Sequence, residues 1–233
     1  MIQDRTETSS YYVTMETSDI ELKFEQYRDH LENETTTLTS YVQLYKHIND
    51  RKQDRLDELN IAPCFFGTVI DSLFTAIILW MNNLIDPKAE RGFYNFLSFI
   101  ENNRDILAIS RLQKRNNYPD GHWMLNREPI TYELIESDRK KLKNIKALQS
   151  FKIRRDKFHA HFDKDYAFQR KQISSDAPIK FSDLDDLVEV LKDILNTYSA
   201  AYNGKVYKIS LMDINDIDYV LNILHEYNQN IKS

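Results

Sequence analysis

Turn-forming residues are scarce in this sequence, with four glycines and five prolines in 233 residues. A sandwich or barrel needs many tight turns, and Gly and Pro supply them, so the shortage argues against an all-β fold. Cysteine is scarcer still. Cys64 stands alone, so no internal disulfide can form. Its apolar setting, Ala62-Pro63-Cys64-Phe65-Phe66, predicts a buried, inert thiol in a reducing compartment. A glycine-rich phosphate loop is missing, which excludes the common NTPase class. Residues Met1 to Asp19 lack a basic stretch followed by an apolar run, so no secretory leader is expected and a cytoplasmic location is. The most apolar segment, Pro63 to Asp86, is broken by Gly67, Thr68, Asp71, Ser72 and Asn82-Asn83. It reads as a core helix and not as a membrane span.

What the chain does have is helical periodicity. Residues 1–18 are Ser/Thr-rich without a helical period and read as a flexible N-terminal arm. Residues 19–233 read as a single all-α domain, a bundle of five to seven helices. Ile20, Phe24, Tyr27 and Leu31 start one stripe; Thr35-Thr36-Thr37 weakens it, and Leu38, Val42, Tyr45 and Ile48 resume it, as one long bent helix or two. Pro63 opens a helix that is apolar nearly all round, which predicts burial on most sides. Asp86-Pro87 is a cap and first-turn pair for a third helix reaching about Ile100. Residues 113–130 carry turn chemistry. Thr131 begins a long helical stretch to about His161, Ser182 can cap a regular helix ending near Tyr202, and Asp213 can cap a last one.

The net charge is −5, yet residues 139–157 hold nine lysines and arginines (Arg139 through Lys157) against one acid, Asp156. Such a run is either a wet helix face paired with acids such as Asp183, Asp185 and Asp186, or a stripe that attracts phosphates. At about 100° per residue, Leu148, Phe151, Phe158 and Phe162 form an aromatic seam with Arg155 inside it. An arginine there needs an anion, either a carboxylate such as Asp71 or a substrate phosphate. His161 lies about 120° around from Arg155 on a straight helix, whereas Arg154 is nearly aligned with it and His159 lies near Arg155. Spacing thus supports an Arg/His cluster and leaves the productive pair open. His159, His161 and Asp163 as a metal site would require a loop, because alternate residues point to opposite sides of a helix; no metal and no cofactor is expected. Trp80 and Trp123 read as core residues, and His30, His47, His122 and His225 show no partner pattern.

Arg155-Asp156-Lys157-Phe158-His159-Ala160-His161-Phe162-Asp163 resembles the motif of the HEPN superfamily, an Arg followed by a polar residue and then a His after four to six others. Its form near the end of a long helix is similar to the AbiU-like abortive-infection branch, as are Ala62–Phe66, Ile78-Leu79-Trp80 and Leu84-Ile85-Asp86. The resemblance spans roughly residues 20–200. It implies a homodimer that brings two Arg/His sets into one cleft, and metal-independent endoribonuclease activity as a toxin or phage-defence effector. Carried onto this chain, Arg155 would hold the scissile phosphate, His161 would move the proton, and Asp156 would orient one of them. Arg154, Lys157, His159 and Lys152 would attract the RNA. An antitoxin protein is a further implied partner, and no membrane is. Phe162-Asp163 replaces the His-x-Tyr ending of HEPN toxins silenced by nucleotidyl transfer onto tyrosine. The competing expectation is a silent HEPN-like module that binds RNA, nucleotide or protein.

Overall fold

The computed structural model describes residues 6–159, 173–210 and 213–232, with side chains from Asp19 onward except those of Phe158, His159 and Lys232. The side chains of the N-terminal arm lie outside that set. Every described element is helical. In chain order these are α1 (Thr6–Arg51), α2 (Leu56–Leu59), α3 (Pro63–Ile85), α4 (Phe93–Asn102), a 3-10 turn (Arg104–Leu107), α5 (Ile109–Asn116), a second 3-10 turn (Trp123–Asn126), α6 (Tyr132–Lys143), α7 (Leu148–Arg154), a π-turn (Arg155–His159), α8 (Ile173–Asp176), α9 (Phe181–Asn203) and α10 (Asp216–Lys232).

The chain forms two compact units. The first comprises Met1–Asn33, Leu84–Asn144 and Val190–Lys208. Its core follows from helical spacing: Phe93, Phe96, Leu97 and Ile100 on α4 are all fully buried, the i, i+3, i+4, i+7 stripe of an amphipathic helix. Phe24 stacks on Tyr202 at 4.4 Å and meets Phe96 at 5.7 Å. Thr131 caps α6, its hydroxyl accepting from Leu134 N at 3.2 Å. Buried Asp138 accepts from the Tyr198 hydroxyl at 2.9 Å and from Lys141 Nζ at 2.7 Å. Burial is the main cause that pushes the Tyr198 phenol far up, with the Asp138 charge adding to it. Gly204 ends α9 at φ 76°, against the Tyr118 hydroxyl.

The second unit comprises Glu34–Asn83, Ile145–Glu189 and Ile209–Ser233. Leu59, Phe66 and Leu221 form a buried cluster edged by Ala62, Ile217 and Leu224, which seats α10 on α2 and the start of α3. Polar contacts fix its rotation. Arg51 grips Asp218 with two hydrogen bonds, at 2.6 and 2.8 Å, and His47 reaches the same carboxylate at 3.0 Å. Glu58, itself buried, accepts from His225 Nδ1 at 2.5 Å.

Several expectations are corrected. Among the described residues there are ten α-helical segments, not five to seven. The stretch from Thr131 breaks at Asn144, separating α6 from α7, and α2 and α8 are single turns too short to leave a periodic signature. Asp86-Pro87 closes a turn instead of starting a helix: Asp86 Oδ1 accepts from Lys88 N and its carbonyl from Ala89 N, and α4 begins six residues later behind Gly92. The α9 helix starts at Phe181, with Asp183 reaching back to Lys180 N at 2.7 Å. α3 is not buried on most sides, since Phe65 is 62% exposed and Asp71 and Ser72 face solvent; by length and composition it is the one described helix able to cross a membrane. Cys64 at its start is exposed, not buried. Trp123 is exposed as well.

Candidate functional site

The segment singled out by the sequence lies in the second unit. α7 presents Leu148 and Phe151 inward, with Phe151 fully buried, and then passes into the π-turn Arg155–His159. A π-turn takes one more residue per turn than an α-helix, and such turns recur at functional sites. The uniform 100° step therefore holds through Arg154 and fails from Arg155 onward. Arg154, not Arg155, is the buried arginine: it is 8% exposed, its Nε donates to the Ala177 carbonyl at 2.7 Å, and its guanidinium lies 5.1 Å from the Phe74 ring. Burial lowers the Arg154 pKa from an ordinary value so high that the side chain stays cationic. Phe74 stacks on Tyr45 at 5.4 Å, and Tyr45 meets the edge of Phe181 at 5.7 Å. Burial raises the Tyr45 phenol, the Arg154 charge opposes that rise, and Asp71 adds to it.

Arg155 behaves differently. Its side chain is 24% exposed, and Nε donates to Asp156 Oδ1 at 2.6 Å. Lys152 and Lys157 are exposed on the same stretch. The His159 backbone closes the π-turn, while its side chain lies outside the described residues. His161, Phe162 and Asp163 lie wholly outside them, so the proton-transfer residue and the His/His/Asp metal arrangement have no geometry here. The structure thus brings Arg154, Arg155, Asp156 and Lys157 into one α-to-π junction, with two arginines in opposite environments.

Much of the upstream basic run is matched by acids. Arg139 pairs with Glu136 and with Glu101, Lys141 pairs with Asp138, and Lys146 approaches Asp186 at 3.4 Å. Asp185 instead takes Lys46. Sequence reasoning missed the residues that enclose Arg154. Tyr45 was one more apolar position on α1 and Phe74 one more on α3, and nothing local marks either as an arginine's neighbour. The carboxylate partners of His47 and His225 were missed too, being 171 and 167 residues distant along the chain.

Compared with protein families, the chain matches the HEPN_AbiU2 model, described as AbiU2, over residues 21–223. No curated protein and no solved structure matches. The match takes in both compact units and contains the whole α7–π-turn segment. On that coverage the chain belongs to the HEPN AbiU2 family, an abortive-infection branch of the HEPN superfamily.

Proposed function

We propose that this protein is a metal-independent endoribonuclease, acting as a cytoplasmic toxin or phage-defence effector and working as a homodimer. The observation that carries the reading is Arg155, a partly exposed guanidinium held by the adjacent Asp156 at 2.6 Å, in the segment that resembles the HEPN motif. A guanidinium offers parallel donors to a phosphate and stays charged at any physiological pH, so it can stabilise the negative charge that develops on the scissile group. The 2′-hydroxyl of RNA supplies the nucleophile. His161 takes its proton or protonates the 5′-leaving oxygen, a task suited to imidazole near neutrality. Asp156 orients Arg155. Lys152, Lys157 and His159 attract the backbone, while Arg154, enclosed by Phe74 and the Ala177 carbonyl, serves to position the junction. A cognate antitoxin would act on the same surface.

A second reading, a silent module that binds RNA, nucleotide or a partner protein, is favoured by the internal ion pairs of Arg139, Lys141 and Lys146. Cleavage of labelled RNA separates the two. His161→Ala should slow cutting by roughly 10²-fold or more with affinity nearly intact, and Arg155→Ala should damage both. Wild-type protein that binds RNA without cutting it, with both variants binding equally, would overturn the enzyme reading. The homodimer is checked by solution mass, expected at twice that of the chain.

A further inference from the structure

The first compact unit carries a second candidate surface, remote in sequence from the motif. A groove of about 530 Å³ is lined by Lys23, Gln26, Tyr27 and His30 of α1 and by Glu90 and Arg91 of the following turn. The four α1 residues stand at i, i+3, i+4 and i+7 and share one face. That face carries Lys23 and Tyr27, and Arg91 adds a second positive charge beside it. The nearby acids of α1 are engaged elsewhere: Glu21 with Arg111 and Arg115, Glu25 with the Tyr202 hydroxyl, Asp29 with Arg28.

The groove is also braced. Tyr27 packs on Phe99 at 5.5 Å and on Phe96 at 6.0 Å, and its hydroxyl donates to the Glu90 carbonyl at 3.2 Å. Lys23 Nζ lies 5.7 Å from the Phe99 ring. The turn bearing Glu90 and Arg91 is closed by Ala89 N to the Asp86 carbonyl at 2.9 Å, Gly92 N to the Ala89 carbonyl at 3.1 Å, and Asn95 Nδ2 to the same Ala89 oxygen at 2.9 Å. A fixed aromatic ring flanked by an exposed lysine and an exposed arginine matches the stacking-plus-phosphate chemistry of single-stranded nucleic acid. The Glu90 carboxylate disfavours a bare polyanion and suits a base that carries an exocyclic amine.

We propose that this groove is a binding site for a single-stranded RNA segment, with Lys23 and Arg91 on phosphates, Tyr27 against a base, and Glu90 accepting from a base amine. The proposal rests on RNA being the substrate and adds a recognition surface on the unit that does not contain Arg155. The test is anisotropy of a fluorescein-labelled cytidine 12-mer with the full chain carrying His161→Ala, so that the probe is not cut. Adding Lys23→Glu and Arg91→Glu should weaken binding by about tenfold or more and flatten the salt dependence by about 1.4 in log–log slope, the value for two phosphate contacts on a single strand. The charge-matched pair Lys114→Glu and Lys205→Glu, also on this unit, should stay within about twofold. Glu90→Gln should reduce the preference for the cytidine 12-mer over a uridine 12-mer. Equal losses in the two charge-reversed pairs, or no loss in either, would overturn the site. If wild-type protein cuts RNA while Lys23→Glu/Arg91→Glu cuts and binds normally, only the groove proposal fails. A wild type that neither binds nor cuts removes both readings.

Discussion

Arg154 and Arg155 are adjacent in sequence and opposite in environment, which gives a decisive pair of substitutions. Replacing Arg154 by Ala removes a charge-assisted hydrogen bond to the Ala177 carbonyl, worth about 1.5–3 kcal/mol when buried. It also removes a guanidinium from the face of Phe74, worth about 1–2 kcal/mol in a desolvated setting. Relief of the buried charge offsets part of this, leaving a net cost of about 3 kcal/mol. For a chain of this size that corresponds to a fall in Tm of about 6–12 °C. Arg154→Met keeps the apolar stem and needs no counter-charge, so its loss should be nearer 1 kcal/mol. Arg155→Ala breaks a partly exposed pair with Asp156 and should cost less than about 1 kcal/mol. Thermal unfolding followed by circular dichroism, alongside RNA cleavage at a temperature where every variant is folded, reads both properties. The expected pattern is Arg154→Met folded and active, Arg155→Ala stable and inactive. Should Arg154→Ala melt within about 1 °C of wild type, the positioning role is wrong. If Arg154→Met is inactive while Arg155→Ala still cuts, Arg154 is the phosphate-binding arginine and the assignment must be exchanged.

Other tests address the chemistry and the folding of each unit separately. RNA cleavage should persist in excess EDTA and leave a cyclic phosphate with a 5′-hydroxyl, because the 2′-oxygen attacks; loss on chelation with recovery on adding a divalent ion would point back to His159, His161 and Asp163. Hydrogen bonding from His225 holds the Glu58 carboxyl below its usual range, and hydrogen bonding from Arg51, aided by His47, does the same for Asp218. Lowered carboxylate pKa values contribute stability that is complete above about pH 4.5 and is lost as pH falls through the folded-state values. Urea midpoints measured from pH 6 down to pH 3 should therefore drop less steeply for Glu58→Gln/Asp218→Asn than for wild type, and parallel curves would remove these carboxylates as the cause. Gly204→Ala puts a Cβ 2.7 Å from the Tyr118 hydroxyl at φ 76° and should destabilise by about 1–2 kcal/mol in a denaturant titration, whereas an unchanged midpoint would show that Tyr118 yields freely.

Local signals in the sequence carried well into the structure. The stripe on α9, the helix start at Thr131 and the helical face of α1 all depend on residues within a few positions of one another, and each is visible in the chain. The burial of Arg154 is not, because the groups that enclose it come from α1, α3 and the residue after α8, and the π-turn changes the angular step from Arg155 onward. Burial of α3 was overestimated for a related reason. Composition reports that a helix is apolar all round, but only its neighbours decide which sides they cover, and Phe65 and Leu79 remain exposed. The groove at Lys23 needed the turn at Ala89–Gly92 to bring Arg91 onto the α1 face, information that no spacing rule holds.

The exposed thiol at the start of α3 has a practical corollary. Cys64 is the chain's sole cysteine, so a maleimide or nitroxide reagent modifies one defined position without prior mutagenesis. In a two-fold assembly, one spin label per chain yields a single intermolecular separation, free of the overlapping distances that multiple thiols create. Dipolar spectroscopy on wild-type protein can therefore report subunit pairing directly, and dilution with unlabelled chains would erase the signal in proportion to exchange.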